Sequence, residues 1–325
     1  MDLMLTVPIA ALALTIEAII GYPDTIFRLI RHPVMWAGAL IARLDAGLNR
    51  GSDRRRRWLG VAALVVLGLA AWVPCWLIEA SVFALVPRAV AIVVIAVLAS
   101  ALLASVSLIT HVRAVAVGLR AGLAEGRVAV SHIVGRDPAS LDAAGVARAA
   151  IESLAENFSD GVVAPALWCA VLGLPAIALY KAVNTADSMI GHLTPRHGAF
   201  GWAAARFDDV INLPASRLAA LWLVLAAALV PGASARGAMA SVRRDAGQHR
   251  SPNAGWPEAA MAGALGLRLA GPRVYGAVRV DDAWMGAGRA AAGVADIERA
   301  LRLVRVAAWL QIGVVWLLAV IIGPA

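Results

Sequence analysis

An unbroken apolar run, WLGVAALVVLGLAAWVPCWLI at residues 58–78, follows directly after four arginines at residues 54–57. A helix needs about 20 apolar residues to cross a hydrocarbon core of about 30 Å. The run has this length and contains no charged residue, so it predicts a membrane-spanning helix. Arginine is enriched in the cytoplasmic loops beside such helices, so the four arginines are expected on the cytoplasmic side.

Other apolar stretches lie on both sides of this run. Residues 3–20, 89–110 and 303–322 are long enough to span, and the spans 58–78 and 89–110 are expected to form a hairpin whose short loop contains Glu79 and Arg88. Residues 162–180 are interrupted by Pro165, Gly173 and Pro175, and residues 218–230 are short for a crossing. Short or broken apolar segments beside polar clusters are typical of membrane-embedded sites, although two ordinary tilted spans remain the simpler alternative.

The fold class follows from these stretches and from composition. The chain has 325 residues, of which 61% are hydrophobic, and its mean hydropathy is +0.77. We predict an all-α, polytopic integral membrane protein with four transmembrane helices and two short or broken hydrophobic segments. Cytoplasmic amphipathic helices and loops join them, and residues 1–325 are expected to form a single membrane-embedded domain.

Charge is placed unevenly along the chain. The net charge of +8 comes from arginines concentrated in residues 21–58, 111–159 and 231–302, which are therefore expected in the cytoplasm, with the N-terminus outside. On this arrangement the two short or broken segments both cross or neither does, and re-entrant or tilted half-helices opening to the cytoplasm are favoured. The basic runs lack interleaved aromatic residues, so no nucleic-acid partner is expected. Cys75 and Cys169 lie in apolar segments and are predicted to be buried hydrophobic residues.

A dense set of polar groups interrupts this apolar chain between residues 148 and 217. If the segment before Gly161 is helical, Glu152, Glu156 and Asp160 lie four residues apart on one face, where like charges repel. The simple interpretation is that Arg148 pairs with Glu152 and that water solvates the remaining carboxylates. The functional interpretation is a site for Mg²⁺ or another hard cation, which prefers oxygen ligands.

A second polar cluster repeats the same chemistry. Asp208 and Asp209 stand beside Arg206, Asn212 and Arg217, so possible oxygen ligands alternate with donors suited to phosphate or carboxylate. Lys181, the one lysine among 29 lysine and arginine residues, lies between the two clusters with Asn184 and Asp187. Two such clusters favour a site for a polyanion and a metal ion.

Five ordered motifs give the sequence a resemblance. They are Gly135-Arg136-Asp137, the block from Glu152 to Gly161, Asn184-Thr185-x-Asp187-Ser188-Met189-x-Gly191, Ala205-Arg206-x-Asp208-Asp209-x-x-Asn212, and Ser251-Pro252-Asn253-Ala254-Gly255-Trp256-Pro257-Glu258. Together with His32-Pro33 near the N-terminus, they resemble the adenosylcobinamide-phosphate synthase family of cobalamin biosynthesis, the membrane enzymes often called CobD or CbiB. A histidine before proline is otherwise typical of a capping or turn residue.

The resemblance implies an activity and its participants. The activity is an ATP-dependent ligase that joins (R)-1-amino-2-propanol, or its O-phosphate, to the free propionate of adenosylcobyric acid. It further implies ATP and Mg²⁺, corrinoid and amino-alcohol substrates, the bilayer of the bacterial inner membrane, and other late enzymes of cobalamin biosynthesis as partners. The stretch from Ser251 to Tyr275, rich in Gly, Pro and Ala, is then expected to be a flexible substrate lid.

The candidate site residues fall into three groups. Catalytic roles are expected for Lys181, Asp187, Asp208 and Asp209. Binding of substrate or phosphate is expected for Arg136, Asn157, Asn184, Arg206, Asn212, Arg217, Asn253 and Glu258. Metal binding is expected for Glu152, Glu156, Asp160, Asp208 and Asp209.

Other functions stay open at this point. No Gly-x4-Gly-Lys-Ser/Thr phosphate loop is present, so ATP would have to be held by a different construction. Asn184-x2-Asp187 and Asp208-Asp209 are also compatible with a Mg²⁺-dependent membrane transferase acting on diphosphates. A transporter, or a non-catalytic sensor related to the family, would equally explain charged residues beside broken helices.

Overall fold

The computed structural model describes residues 2–23, 25, 28–29, 31–135, 138–275, 278–280 and 282–322. The α-helices in these residues are Leu3–Ile20 (α1), Pro33–Leu48 (α2), Asp53–Leu85 (α3), Arg88–Ser100 (α4), Ser105–Ala121 (α5), Leu123–Ser131 (α6), Ala143–Phe158 (α7), Ala164–Leu172 (α8), Leu174–Ile190 (α9), Trp202–Leu229 (α10), Ala235–Asp245 (α11), Gly255–Leu265 (α12) and Val294–Ile322 (α13). Short 3₁₀ turns occur at Pro138–Ser140 and Ala246–Gln248, and a π-helical turn at Ser159–Val163 joins α7 to α8.

Strands form only a small part of the described chain. Leu269–Ala270 (β1) pairs antiparallel with Trp284–Met285 (β4), and Arg273–Tyr275 (β2) pairs antiparallel with Val278–Val280 (β3). The predicted all-α class is confirmed apart from these two small sheets.

Five helical stretches of the described residues are long and apolar enough to cross a membrane: Leu3–Ile20, Asp53–Leu85, Arg88–Ala121, Trp202–Leu229 and Val294–Ile322. The chain is therefore a multi-pass membrane protein, as the apolar runs predicted. The stretch from Arg88 to Ala121 comprises α4 and α5, which are separated by a turn at residues 101–104 where an unbroken span had been expected.

Two predicted boundaries are wrong. Glu79 lies inside α3 rather than in a loop. Its carboxylate accepts a hydrogen bond of 2.8 Å from the backbone N–H of Leu174 and so has a partner within the protein. Residues 218–229 are not an isolated short segment but the second half of the 28-residue helix α10. The helix continues through the polar residues of its first half, where the side chain of Asn212 donates a hydrogen bond to Asp208 one turn earlier.

The break predicted in residues 162–180 is confirmed. Helix α8 ends at Leu172 and α9 begins at Leu174, separated by Gly173 with φ of +77°. A side chain is strained at this φ, and a Cβ at position 173 would also lie 2.8 Å from an oxygen of Glu79. The carboxylate of Glu79 therefore caps the N-terminus of α9, where the free N–H groups favour negative charge.

The expectation of a flexible lid over residues 251–275 is wrong for the part that forms α12. The interior of this helix is buried, and a Cβ at Gly263 would overlap the carbonyl oxygen of Gly237 on α11. The small residues that suggested flexibility instead allow these two helices to pack closely.

The chain folds into two compact units, each assembled from separated segments. Unit 1 contains Met1–Ala104, Ala164–Asn212 and Val314–Ala325, and unit 2 contains Ser105–Val163 and Leu213–Gly313. In unit 1, α9 packs against α2 and α3 through a buried cluster that includes Ile41, Leu67, Ala186 and Phe200. In unit 2, α7 packs against α5, α6 and α12.

Candidate functional site

In unit 1, a buried carboxylate on α10 accepts hydrogen bonds from two amides. Asn184 Nδ2 donates to Asp208 Oδ1 at 3.3 Å, and Asn212 Nδ2 donates to Asp208 Oδ2 at 2.9 Å. The hydroxyl of Tyr180 in turn donates to Asn212 Oδ1 at 2.9 Å. Asp208 is 7% exposed and Asn212 is 1% exposed, so this network links α9 to α10 inside the protein.

Asp209 has a different environment from its neighbour Asp208. Successive helix residues are about 100° apart, so only one of the two can face the buried network. Asp209 Oδ2 lies 3.2 Å from Arg206 Nη1, and the side chain of this arginine is 68% exposed. The adjacent aspartates thus divide into a buried, amide-bound carboxylate and a more accessible one beside a guanidinium.

Asp187 on α9 is half-buried and joins the same group electrostatically. Burial raises the pKa of Asp187, the charge of Asp209 raises it further, and His192 acts in the opposite direction. Mutual repulsion of this kind is typical of carboxylates arranged to receive a cation or a proton.

Lys181 is half-buried on α9, six residues before Asp187. It interacts electrostatically with His32 of the N-terminal His-Pro motif. His32 caps α2, with its Nδ1 accepting from the backbone N–H of Val34 at 3.2 Å and Pro33 in the first turn. Burial and then the charge of Lys181 lower the pKa of His32, while a hydrogen bond with the backbone of Ala101 opposes them. This geometry agrees with the alternative interpretation of His32 as a capping residue.

In unit 2, Arg217 is held in a fixed orientation. Its Nη1 donates to the carbonyl of Pro252 and to Asn253 Oδ1, both at 3.1 Å, and its guanidinium lies 4.4 Å from the ring centroid of Trp256. Ser216 Oγ donates to the same Asn253 oxygen at 3.1 Å. The motif from Ser251 to Glu258 therefore contacts the middle of α10 through Arg217, whose guanidinium is suited to planar anions.

Glu258 lies in the first turn of α12 and is 3% exposed. His249 Nε2 lies 3.8 Å from Glu258 Oε1. Sequence reasoning did not single out His249, which stands just before the motif that contains its partner.

The acidic block in unit 2 does not form one uniform face. Glu152 is buried and its Oε1 accepts from the backbone N–H of Ala270 at 2.9 Å, whereas Glu156 is exposed. Asp160 is half-buried in the π-helical turn, which changes the spacing between it and Glu156. π-turns of this kind often occur at functional sites. Asn157 is exposed and donates to the carbonyl of Ser153 at 2.9 Å.

Metal binding by these carboxylates stays a prediction. Within the described ranges, no group of three or more His, Cys, Asp or Glu side chains has the arrangement of a metal site. Arg136 lies outside the described residues, so its expected role in binding also stays a prediction. Tyr180 was missed by sequence reasoning, although it precedes Asn184 by four residues and so lies on the same face of α9.

The apolar helices define a multi-pass membrane protein, and its two polar clusters contain carboxylate, amide and guanidinium groups. Residues 10–304 match the family described as CobD/Cbib protein, and the chain belongs to this family. The family predicted from the motifs is thereby confirmed.

Named relatives agree with this assignment. The chain is 51% identical to "Cobalamin biosynthesis protein CobD" of Sinorhizobium sp over 319 residues, covering 96% of this chain and 98% of the relative. It is 51% identical to the protein of the same name from Rhizobium meliloti (strain 1021), covering 90% of each chain. For the Rhodobacter capsulatus relative (strain ATCC BAA-309) the identity is 47%, over 90% of this chain and 91% of the relative. No solved structure matches the chain. The protein is therefore a CobD-family member of cobalamin biosynthesis.

Proposed function

We propose that the protein is an ATP-dependent ligase of the bacterial inner membrane that forms the amide between an amino alcohol and a corrinoid carboxylate. Its substrates are adenosylcobyric acid and (R)-1-amino-2-propanol or the O-phosphate of that alcohol, and its product is adenosylcobinamide or its phosphate. The observation that carries the proposal is the family match over residues 10–304, which contains all five motifs.

The residues of unit 1 suit this chemistry. Carboxylate activation by ATP brings several negative groups together, so the site needs cations and fixed hydrogen-bond donors. Lys181 and Arg206 supply positive charge, and Asn184 and Asn212 hold the Asp208 carboxylate in one orientation. Asp187, Asp208 and Asp209 supply the negative charge that a divalent cation requires.

The donor chemistry fits Mg²⁺. This ion prefers oxygen ligands and is usually held by one or two carboxylates together with substrate phosphates and water. Asp208 and Asp209 are the proposed protein ligands in unit 1. Each Asp208 oxygen accepts one hydrogen bond from an amide NH₂ group and keeps a further lone pair that can bind a cation. When bound, the ion would neutralise phosphate charge. Glu152, Glu156 and Asp160 are the proposed cation ligands of unit 2.

Unit 2 offers donors for anionic substrate groups. Arg217, oriented by Asn253 and Trp256, is proposed to bind a phosphate or carboxylate, with Asn157 and Glu258 as further substrate contacts. Other late enzymes of cobalamin biosynthesis are proposed as partners that deliver the corrinoid acid or receive the amide.

The test is ATP consumption by the purified protein with Mg²⁺, adenosylcobyric acid and amino alcohol, with each component omitted in turn. We expect ATP use and amide formation only with the complete mixture. Supplying the phosphates of aminopropanol and ethanolamine separately identifies the preferred amine. ATP consumption that does not depend on the corrinoid acid, or no consumption in the complete mixture, would contradict the proposal.

A further inference from the structure

A cluster of polar side chains outside the predicted site holds the loop between α9 and α10. This loop, residues 191–201, joins the helix of Asn184 and Asp187 to the helix of Arg206, Asp208 and Asp209. We call the cluster the loop clamp and define it as Asp45, Asn49, Arg56 and Arg196, all in unit 1.

Asp45 is the centre of the loop clamp. It lies near the end of α2, is 8% exposed, and accepts from Asn49 Nδ2 at 2.7 Å and from Arg196 Nε at 3.2 Å. A second nitrogen of Arg196 donates to the same Asp45 oxygen, and His197 Nε2 lies 3.7 Å away. Burial raises the pKa of Asp45, but the bonds from Arg196 and Asn49 and the nearby positive charges outweigh it, so the pKa is lowered. The folded protein thus favours the ionised carboxylate.

Arg56 and Asn49 bind the backbone of the same loop. Arg56, in the first turn of α3, donates to the carbonyls of Pro195 and Arg196 and to Asn49 Oδ1, the last at 2.7 Å. Asn49 Nδ2 also donates to the Arg196 carbonyl at 3.0 Å. The clamp therefore fixes both the side chain and the backbone of the loop at the corner between α2 and α3.

Close backbone contacts carry this constraint to the helices that the loop joins. A Cβ at Gly60 on α3 would overlap the carbonyl oxygen of Phe200, which is itself 1% exposed. A Cβ at Gly201 would overlap the carbonyl oxygen of Ile190 at the end of α9. A shift of the loop would therefore move the end of α9 relative to the start of α10, and with it the 3.3 Å contact of Asn184 with Asp208.

We propose that Asp45 is a positioning residue that sets the register of α9 against α10, directly through Arg196 and, by way of Asn49, through Arg56. The inference rests on the proposed ligase function for its effect on turnover, but the register itself can be measured without any substrate. Misplacement of reacting groups by about 1 Å can lower a rate about 100-fold, so a small change of register is enough to matter.

The experiment measures the distance between spin labels on the two helices. Cysteines replace the exposed residues Ser188 on α9 and Val210 on α10, in a background with Cys75→Ser and Cys169→Ser. We expect a narrow distance distribution in the parent and a shifted or broadened one in Asp45→Asn. Asp53→Asn is the matched control, because Asp53 also pairs with Arg56 but its side chain is 83% exposed; its distribution should equal that of the parent.

Turnover provides the second readout. Asp45→Asn should lower kcat by about 10- to 100-fold and leave the KM for the amino alcohol unchanged, as expected when only transition-state geometry is lost. Arg196→Gln removes the same ion pair by changing its other partner, whose side chain is 65% exposed. A change at this exposed position is less disruptive to folding, so Arg196→Gln should show the altered distance distribution and the lower kcat even if Asp45→Asn fails to fold.

An unchanged distance distribution in both clamp variants would overturn the proposal, as would normal kcat in a variant whose register has moved. If the parent protein shows no ligase activity, the proposed function fails, and the distance measurement alone decides whether Asp45 sets the register.

Discussion

Tyr180 on α9 donates a hydrogen bond of 2.9 Å to the side-chain oxygen of Asn212 on α10. This contact orients the Asn212 amide, because its oxygen accepts from Tyr180 and its nitrogen is left to donate to Asp208. A buried tyrosine thus controls which way the amide beside the central carboxylate points. The relationship links a residue outside the predicted site to the residues expected to perform the chemistry.

Tyr180→Phe tests this orientation. Removing the hydroxyl takes away the donor to a buried amide oxygen, which costs about 1–3 kcal/mol of unfolding free energy. We expect a lower unfolding temperature in detergent and reduced ATP turnover. Tyr22→Phe is the control, since the Tyr22 hydroxyl donates to the Arg31 carbonyl at an exposed position. Equal behaviour of the two variants would contradict a special role for Tyr180.

Asp208→Asn and Asp209→Asn are expected to differ in stability while both abolish turnover. An asparagine at 208 has one oxygen for two amide donors, so one donor meets an NH₂ group at a cost of about 1–3 kcal/mol. Asp209 forms an exposed pair with Arg206, and such pairs contribute about 0–1 kcal/mol. Thermal unfolding and the ligase assay measure the two effects. Normal activity in both variants would show that the site assignment is wrong.

Glu152→Gln distinguishes the hydrogen-bonding role of the Glu152 side chain from a role of its negative charge. Glutamine keeps an oxygen that can accept from the Ala270 N–H, so the unfolding temperature should change little. If the negative charge of Glu152 is needed to bind a cation, turnover should still fall. Glu298, whose side chain is 44% exposed and pairs with Arg120, provides the control Glu298→Gln. Unchanged turnover in Glu152→Gln would contradict a role of its negative charge in binding a cation.

His32 predicts a pH dependence of stability. Its pKa is lowered in the folded protein by burial and by Lys181, so the folded state binds fewer protons than the unfolded state. The free energy of unfolding should therefore rise with pH through the window just below the usual histidine value of about 6.5, and its contribution is complete above that value. His32→Asn, which keeps a capping side chain, should flatten this dependence. Unfolding temperatures measured from about pH 5 to 8 decide between these outcomes.

Much of the fold could be predicted from the sequence, because span length and hydropathy are local properties. The break at Gly173 was also predictable, since glycine and proline interrupt an apolar segment there. The extension of α3 past Glu79 was not, because the partner of that carboxylate is 95 residues away in sequence. In the same way, the small residues of α12 suggested flexibility until their partners on α11 were known.

The candidate site shows the same division. Asp208 and Asn212 are four residues apart, so their contact follows from helical spacing. The contact of Asn184 with Asp208 needs the packing of two helices, and the pair of Asp45 with Arg196 spans 151 residues. Motifs therefore indicated the residues of the candidate site, but not the hydrogen-bond network that holds them.

We propose that this protein forms the amide bond that converts a corrinoid acid into a cobinamide. The most direct measurement is growth of cells that lack the protein, and any second copy of it, under conditions that require cobalamin. With this protein removed, we predict no growth on supplied cobyric acid and normal growth on supplied cobinamide, with growth on cobyric acid restored by the parent gene. Growth on cobyric acid without the protein, or failure on both precursors, would contradict the claim.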